Sequence, residues 1–298
     1  MEVFPRKILS VIHKFNFDKS INYHLSINIG YGFIKICCIE RTTQECLLLG
    51  IYALPLDKNH VSYIKSLEQF YNQDFFLIKK NWRSVTLSIS NQKFTILPHL
   101  LLSTKDLFTY MHVACGVDPT DEVISFTHAL AKVSVVFAEN AAVLDWFRKR
   151  YTGSNFHIIH QVNAIIEGYQ IECVSKPELF VWLAEDYLYI IVHNKKKLLY
   201  CNLFTYKSSD DFLSYLSAVI QVMHLERTSC ALLVGGCIEK GSPAYRQLKA
   251  YIPKTTLKTK INFLHANPYV FKKSGTSPML YFDLISSFLC HTHSSAWQ

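Results

Sequence analysis

Apolar residues gather along this chain in blocks of five to nine, some continuous and some alternating with polar ones, and the blocks occur in one order twice. From Tyr23 the runs HLSINI, FIKICCIE and CLLLGIYAL predict three strands. A glycine turn separates the first two, and a polar turn over Arg41 to Gln44 separates the next two. A 3.6-residue period then predicts a helix over about 60–72, and SVTLSIS a fourth strand. From Pro177 the runs ELFVWLA, DYLYIIVH and KLLYCNLFTY again predict three strands, with a lysine turn (Lys195, Lys196, Lys197) between the last two. A helix follows over SSDDFLSYLSAVIQVMHLE, with Ser208 or Ser209 as N-cap, aspartates in its first turn, and Phe212, Leu213, Leu216, Val219, Ile220 and Met223 on one face. CALLVGG then reads as a strand stopped by glycines.

Three strands, a helix and a fourth strand, written twice, predict an α/β protein of two ribonuclease-H-like lobes. Between the copies, FTILP, a helix near 104–114, EVISFTHAL and KVSVVFAE read as an inserted small α/β subdomain over about 93–139. The helix NAAVLDWFRKRY, the strand FHIIH and a helix near 161–170 complete the first copy. A helix near 241–251, a strand near 260–264 and the helix PMLYFDLISSFLC complete the second. The expected division is an N-terminal extension over 1–22, a first lobe over 23–175 and a second over 176–298. Within the extension, KILSVIHKF reads as a helix with basic and apolar sides, suited to packing on its own lobe or to peripheral membrane association.

Composition narrows the function classes. Half the residues are hydrophobic and 14% aromatic, enough for real cores and against disorder. No apolar run reaches the roughly 18–20 residues of a membrane span, and the start lacks the pattern of a secretory signal, so the expected location is cytoplasmic. Nine cysteines (37, 38, 46, 115, 173, 201, 230, 237, 290) form no C-x-x-C pair and read as reduced, structural thiols. The net charge of +8 invites a nucleic-acid partner, but the lysines read as spread along the chain, which argues against one.

A doubled unit with a glycine turn between its first two strands and an insertion in its first half resembles the actin-like ATPase superfamily, over roughly residues 23–290. Through EDYLYIIVHNKKKLLYCNLFTYKSSDDFLSYL and GGCIEKGSPAYRQLKAYI it resembles an uncharacterised Bacteroidetes family with a degenerate form of that fold. The insertion (FTILP, STKDLF, DEVISFTHAL, KVSVVFAENAAVLDWF) resembles, more distantly, the actin-like platform proteins of type IV pilus machines, which bind protein partners.

That resemblance implies Mg-nucleotide between the lobes, held by two D-x-G turns, and the residues can be tested for it. At the first turn the acid position is Asn28, followed by Gly30, Tyr31 and Gly32, with Lys35 able to reach an anion; the charge that would hold a divalent cation is missing. At the second turn Ala184, Glu185 and Asp186 occupy the bend without a glycine. Each acid would repel a phosphate by about 1–4 kcal/mol at about 4 Å. LLVGGCIEKGSPAYRQL resembles the adenosine-binding element, with Gly235, Gly236, Ser242 and Tyr245 as candidates, although a double glycine also serves any strand exit. Asp57 is the nearest candidate for orienting an attacking water.

Other constellations carry less. Cys290, His291 and His293 offer soft-metal ligands at one chain end, and Ser274 and Ser277 lack a nucleophile elbow. Cys37 and Cys38 lie in a strand. The expectation is a non-catalytic, partner-binding actin-like protein with a protein partner, no metal and no cofactor. The alternatives are an Mg-ATP switch or weak ATPase in the cleft, and a basic nucleic-acid binder.

Overall fold

The computed structural model of the chain describes residues 6–30, 32–54, 60–74, 76–172, 179–195, 197–265, 270–271 and 277–294. Strands β1 (Arg6–Val11), β2 (Tyr23–Gly30), β3 (Phe33–Glu40), β4 (Glu45–Ala53), β5 (Ser84–Ser90) and β9 (Asn155–His160) form one sheet in the order β1-β4-β3-β2-β5-β9. The second sheet, in the order β12-β11-β10-β13-β14, is built from β10 (Leu179–Leu183), β11 (Tyr187–Asn194), β12 (Lys197–Thr205), β13 (Leu232–Gly236) and β14 (Thr255–Leu257). Each therefore has a three-strand meander with parallel strands added on the side of its first strand. The insertion is a small antiparallel sheet, β6 (Phe94–Pro98), β8 (Val133–Asn140) and β7 (Asp121–His128) in that spatial order.

The helices are α1 (His60–Gln73), α2 (Leu107–Ala114), α3 (Ala141–Arg150), α4 (Gln161–Glu172), α5 (Ser209–Val222), α6 (Pro243–Tyr251) and α7 (Phe282–Ser294). The expected cap of α5 is Ser208, in a reciprocal box: its hydroxyl accepts from Asp211 N, and the Asp211 carboxylate accepts from Ser208 N.

Two expected elements differ. KILSVIHKF begins as β1, which pairs antiparallel with β4 from Arg6 opposite Tyr52 to Val11 opposite Leu48. The nine-residue edge of β4 needs hydrogen-bond partners, and pairing with it outweighs a short helix lying alone. The stretch set apart as an extension thus supplies a strand to the first sheet. The last strand of the second sheet is Thr255–Leu257, not 260–264. Ile261 and Leu264 are instead buried against the first lobe, where His265 N donates to Gln44 O at 2.9 Å. Their apolar character marks a lobe contact, which a short window cannot tell from a strand.

The period-2 alternation of β10 divides the second lobe's packing. Leu179, Val181 and Leu183 face α5 and α6 in one core, with Leu216, Val219 and Leu248. Phe180 and Trp182 face the other way and join Tyr189 and Ile191 in a cluster continuous with the first sheet's core. Helix α7 returns from the second lobe to lie on the first, where Ser287 Oγ donates to Ser26 Oγ at 2.8 Å and Phe288 packs edge-on against His24. Its crossing with α4 is close because Gly168 has no side chain: a Cβ there would overlap Ser286 Oγ and stand 2.7 Å from the Phe282 ring. Apolar packing therefore runs without a break from one lobe into the other.

Candidate functional site

The described residues singled out in the sequence for a nucleotide lie on the turns of the two meanders, on the strands those turns join, and at β13 and α6. Asn28 lies on β2 opposite Ser88 of the parallel neighbour β5 and is fully buried. Its amide nitrogen donates to Ser90 Oγ at 2.9 Å and Ser88 Oγ at 3.1 Å, and its oxygen accepts from Ser90 Oγ at 3.2 Å. The side chain is thus used within its own sheet.

Gly30 follows, and the Phe33 ring lies directly on it, in the space a Cβ would take. Gly32 has φ +83°, a conformation that glycine adopts without strain. The aromatic ring covers the surface from which bare amides would meet a phosphate. Tyr31 lies outside the described residues, as does Asp57.

Lys35 stands opposite Asn28 on β3, with its Nζ 4.9 Å from the Phe33 ring centroid and 3.8 Å from Asp283 Oδ2. Asp283 is the first acid of α7 and has no exposed surface. The Gln161 amide, at the start of α4, donates to Asp283 Oδ2 at 2.6 Å, while its oxygen accepts from the hydroxyls of Tyr187 (3.1 Å) and Tyr189 (3.2 Å) on β11. Burial, and then the charge of Asp283, push the Tyr187 hydroxyl well above its ordinary value, so it stays protonated and able to donate. A polar chain from Lys35 through Asp283 and Gln161 to Tyr187 and Tyr189 therefore joins β3, α7, α4 and β11 across the crevice between the lobes.

The other residues singled out in the sequence serve elsewhere. Glu185 and Asp186 are exposed at the β10–β11 bend, whose backbone is held by Tyr206: its N donates to Asp186 O at 3.0 Å and its hydroxyl to Ala184 O at 2.6 Å. Gly235 is covered by Met279, whose methyl would stand 2.6 Å from a Cβ, and Trp182 Nε1 fixes that segment by donating to Met279 O at 3.0 Å. Gly236, at φ +95°, packs on Leu183, whose backbone oxygen would overlap a Cβ. Ser242 caps α6 by accepting from Tyr245 N, and Tyr245 is buried in the outer core. Both glycines and both helix residues thus have packing or capping roles.

Sequence reading missed Gln161, Asp283 and the β5 serines. One signal was present: an aspartate in the otherwise apolar run PMLYFDLISSFLC is costly to bury unless paired. Among the described residues no group of three or more His, Cys, Asp or Glu is placed to hold a metal ion. The side chains of His291 and His293 lie outside the description, as do Cys173, Lys196 and Ser274; Ser277 caps the turn leading to α7. Burial pushes the thiols of Cys37, Cys38, Cys201 and Cys290 upward, away from a nucleophilic thiolate.

Residues 12–255 match the model of a family described as "Protein of unknown function (DUF3822)". No curated protein matches the sequence. In structure the chain is similar to a Bacteroides thetaiotaomicron protein with an actin-like ATPase fold and unknown function, at TM-score 0.73 and 16% identity, over 88% of this chain and 99% of that one. It is also similar to a chain of the PilM-PilN type IV pilus biogenesis complex, at TM-score 0.62 and 11% identity, over 90% of this chain and 98% of that one. The fold is that of the actin-like ATPases. At the positions compared with the Mg-nucleotide site of that fold, the acid's place is held by a bonded asparagine, and Phe33 and Met279 lie over Gly30 and Gly235.

Proposed function

The chain belongs to the DUF3822 family, and from that premise we propose that it is a non-catalytic partner-binding or scaffold protein on an actin-like frame, acting in the cytoplasm without a nucleotide or metal. The observation that carries this reading is that the protein's own side chains lie at the positions compared with a nucleotide site. Phe33 lies on Gly30 and Met279 on Gly235, and the chain from Lys35 to Tyr189 joins the lobes that a nucleotide switch would have to separate. Phosphoryl transfer depends on metal, positioning and charge neutralisation together, so their combined loss argues against a weak ATPase as well.

The partner surface is assigned to the insertion. Of eleven exposed large hydrophobic residues among those described, five (Leu100, Leu101, Phe108, Val113 and Leu130) lie within the short span 93–139. Such a concentration marks an interaction face more often than scattered exposure does. The likeness to a chain of the PilM-PilN complex supports a protein partner by analogy of fold. Among the described residues no helix is long and apolar enough to cross a membrane.

Two measurements test the reading. The thermal midpoint should be unchanged by millimolar Mg-ATP, whereas a ligand at about 100 times its dissociation constant would add roughly 2.7 kcal/mol. A photo-crosslinking residue at Phe108 or Leu100 should capture a defined protein in the native cell, and one at Ile78, exposed on the first lobe, should not. A clear nucleotide shift would favour the ATP switch. Equal capture at the two sets of positions would remove the insertion as the docking face.

A further inference from the structure

The basic residues are spread along the chain, as the sequence reading has it, but the net charge is not. Nine of the 31 basic residues and one of the 23 acidic ones lie in 227–282, leaving 22 of each sign for the rest, so this stretch carries the whole net charge of +8. Six of the basic residues, all described, lie on α6, to either side of the edge strand beside it and on the turn before that strand's neighbour. β14 is the edge strand of the sheet, and α6 lies over it against α5. Arg246 and Lys249, three apart, share the exposed side of α6. Lys254 precedes the edge strand and Lys258 and Lys260 follow it, while Arg227 reaches in from the turn after α5 to lie 4.9 Å over the Tyr251 ring. Lys254 Nζ donates to Ser229 O at 3.2 Å, which ties that turn to the strand. Lys272 and Lys273 lie outside the described residues.

We infer that this basic side of the second lobe, α6 with the β14 edge, docks the protein on an anionic phospholipid surface. The face carries charge without anchors: among the described residues no exposed large hydrophobic side chain falls within 227–265, so binding there is electrostatic and reversible. Seven of the nine basic residues are lysines, hydrated point charges that suit a diffuse field of headgroups better than the bidentate phosphate contacts for which arginine is favoured. The outward side of α6 beside a three-residue edge strand also offers no exposed aromatic platform for unstacked bases. These features favour lipid over nucleic acid. The inference stands independently of the residues at the nucleotide positions.

The test is co-sedimentation of the full chain with vesicles of phosphatidylcholine, with and without about one-third phosphatidylserine, at about 0.1 M salt. Binding should require phosphatidylserine and be lost on raising the salt severalfold. The variant Arg246→Gln/Lys249→Gln/Lys254→Gln should lower the partition coefficient on the order of 100-fold, at about fivefold per removed charge. A control with the same net charge, Lys19→Gln/Lys80→Gln/Lys149→Gln, changes exposed lysines elsewhere and should retain most of the binding. Matching thermal midpoints show that both variants fold. Failure to bind phosphatidylserine vesicles, or equal losses in the two variants, overturns the inference. So does binding of a short DNA duplex through these residues with vesicles left unbound, which would assign the face to nucleic acid.

Discussion

Replacing Asp283 by alanine should destabilise the protein by about 3–5 kcal/mol, with Lys35→Met alone costing somewhat less. The carboxylate has no exposed surface, and its Oδ2 receives the Gln161 amide at 2.6 Å and faces the Lys35 ammonium at 3.8 Å. Without it, a largely buried cation keeps, among the described residues, the face of Phe33, and the Gln161 amide loses its charged acceptor. The double variant Lys35→Met/Asp283→Leu should recover much of the loss, because apolar side chains of similar size in place of a buried pair are often neutral. Urea unfolding of Lys35→Met, Asp283→Leu and the double gives the coupling directly, expected at about 1–3 kcal/mol. Simple additivity would mean that the ion pair does not hold the lobes, and that the polar chain across the crevice is incidental to its closure.

The elements were legible in sequence wherever one strand or helix carried its own signature. Alternation placed β2, β3 and β4, and the serine pair before the aspartates placed the cap of α5 to within one residue. Glycines were ambiguous for a physical reason. A missing Cβ admits a phosphate, an adenine or a neighbouring side chain equally well, and only tertiary structure says which arrived: Phe33 on Gly30, Met279 on Gly235, Leu183 against Gly236 and Ser286 against Gly168. The polar crevice was less legible still, since Gln161 and Asp283 are 122 residues apart and meet only once α7 has crossed to the first lobe. β1 and the segment around Ile261 failed for a related reason, because their partners, β4 and the first lobe's core, lie far along the chain. The charge on the second lobe, by contrast, was open to counting from sequence, but a glance along the chain does not weigh lysines against the acids beside them.

The same long-range packing should make the protein acid-sensitive around the insertion. His160 ends β9 between the rings of Phe94 and Phe137 from the insertion. Its Nε2 donates to Asn91 O at 3.1 Å and its Nδ1 accepts from Val162 N at 3.2 Å, so a second proton would displace the bond that starts α4. Burial lowers its pKa from 6.5 to about 3. His193 on β11 lies against Tyr169 of α4, with no hydrogen-bond partner for either ring nitrogen among the described residues. Burial, and secondarily the nearby His128, lower its pKa to about 4. Both rings are neutral in the fold, whereas the unfolded chain takes up their protons as pH falls through 6.5. Their stability is therefore fully present above pH 6.5 and declines towards pH 4, by about 1.4 kcal/mol per pH unit for each group. Between pH 6.5 and 5 the two together should remove about 3 kcal/mol. Glu139, whose pKa burial raises, acts in the opposite sense and returns part of this as it takes its proton in the fold. His193→Phe removes one titrating ring without breaking a hydrogen bond among the described residues. It should roughly halve the slope of unfolding free energy against pH in that window and raise stability at pH 5. A slope unchanged by this substitution would show that the ring is not held neutral at the junction of α4 and β11.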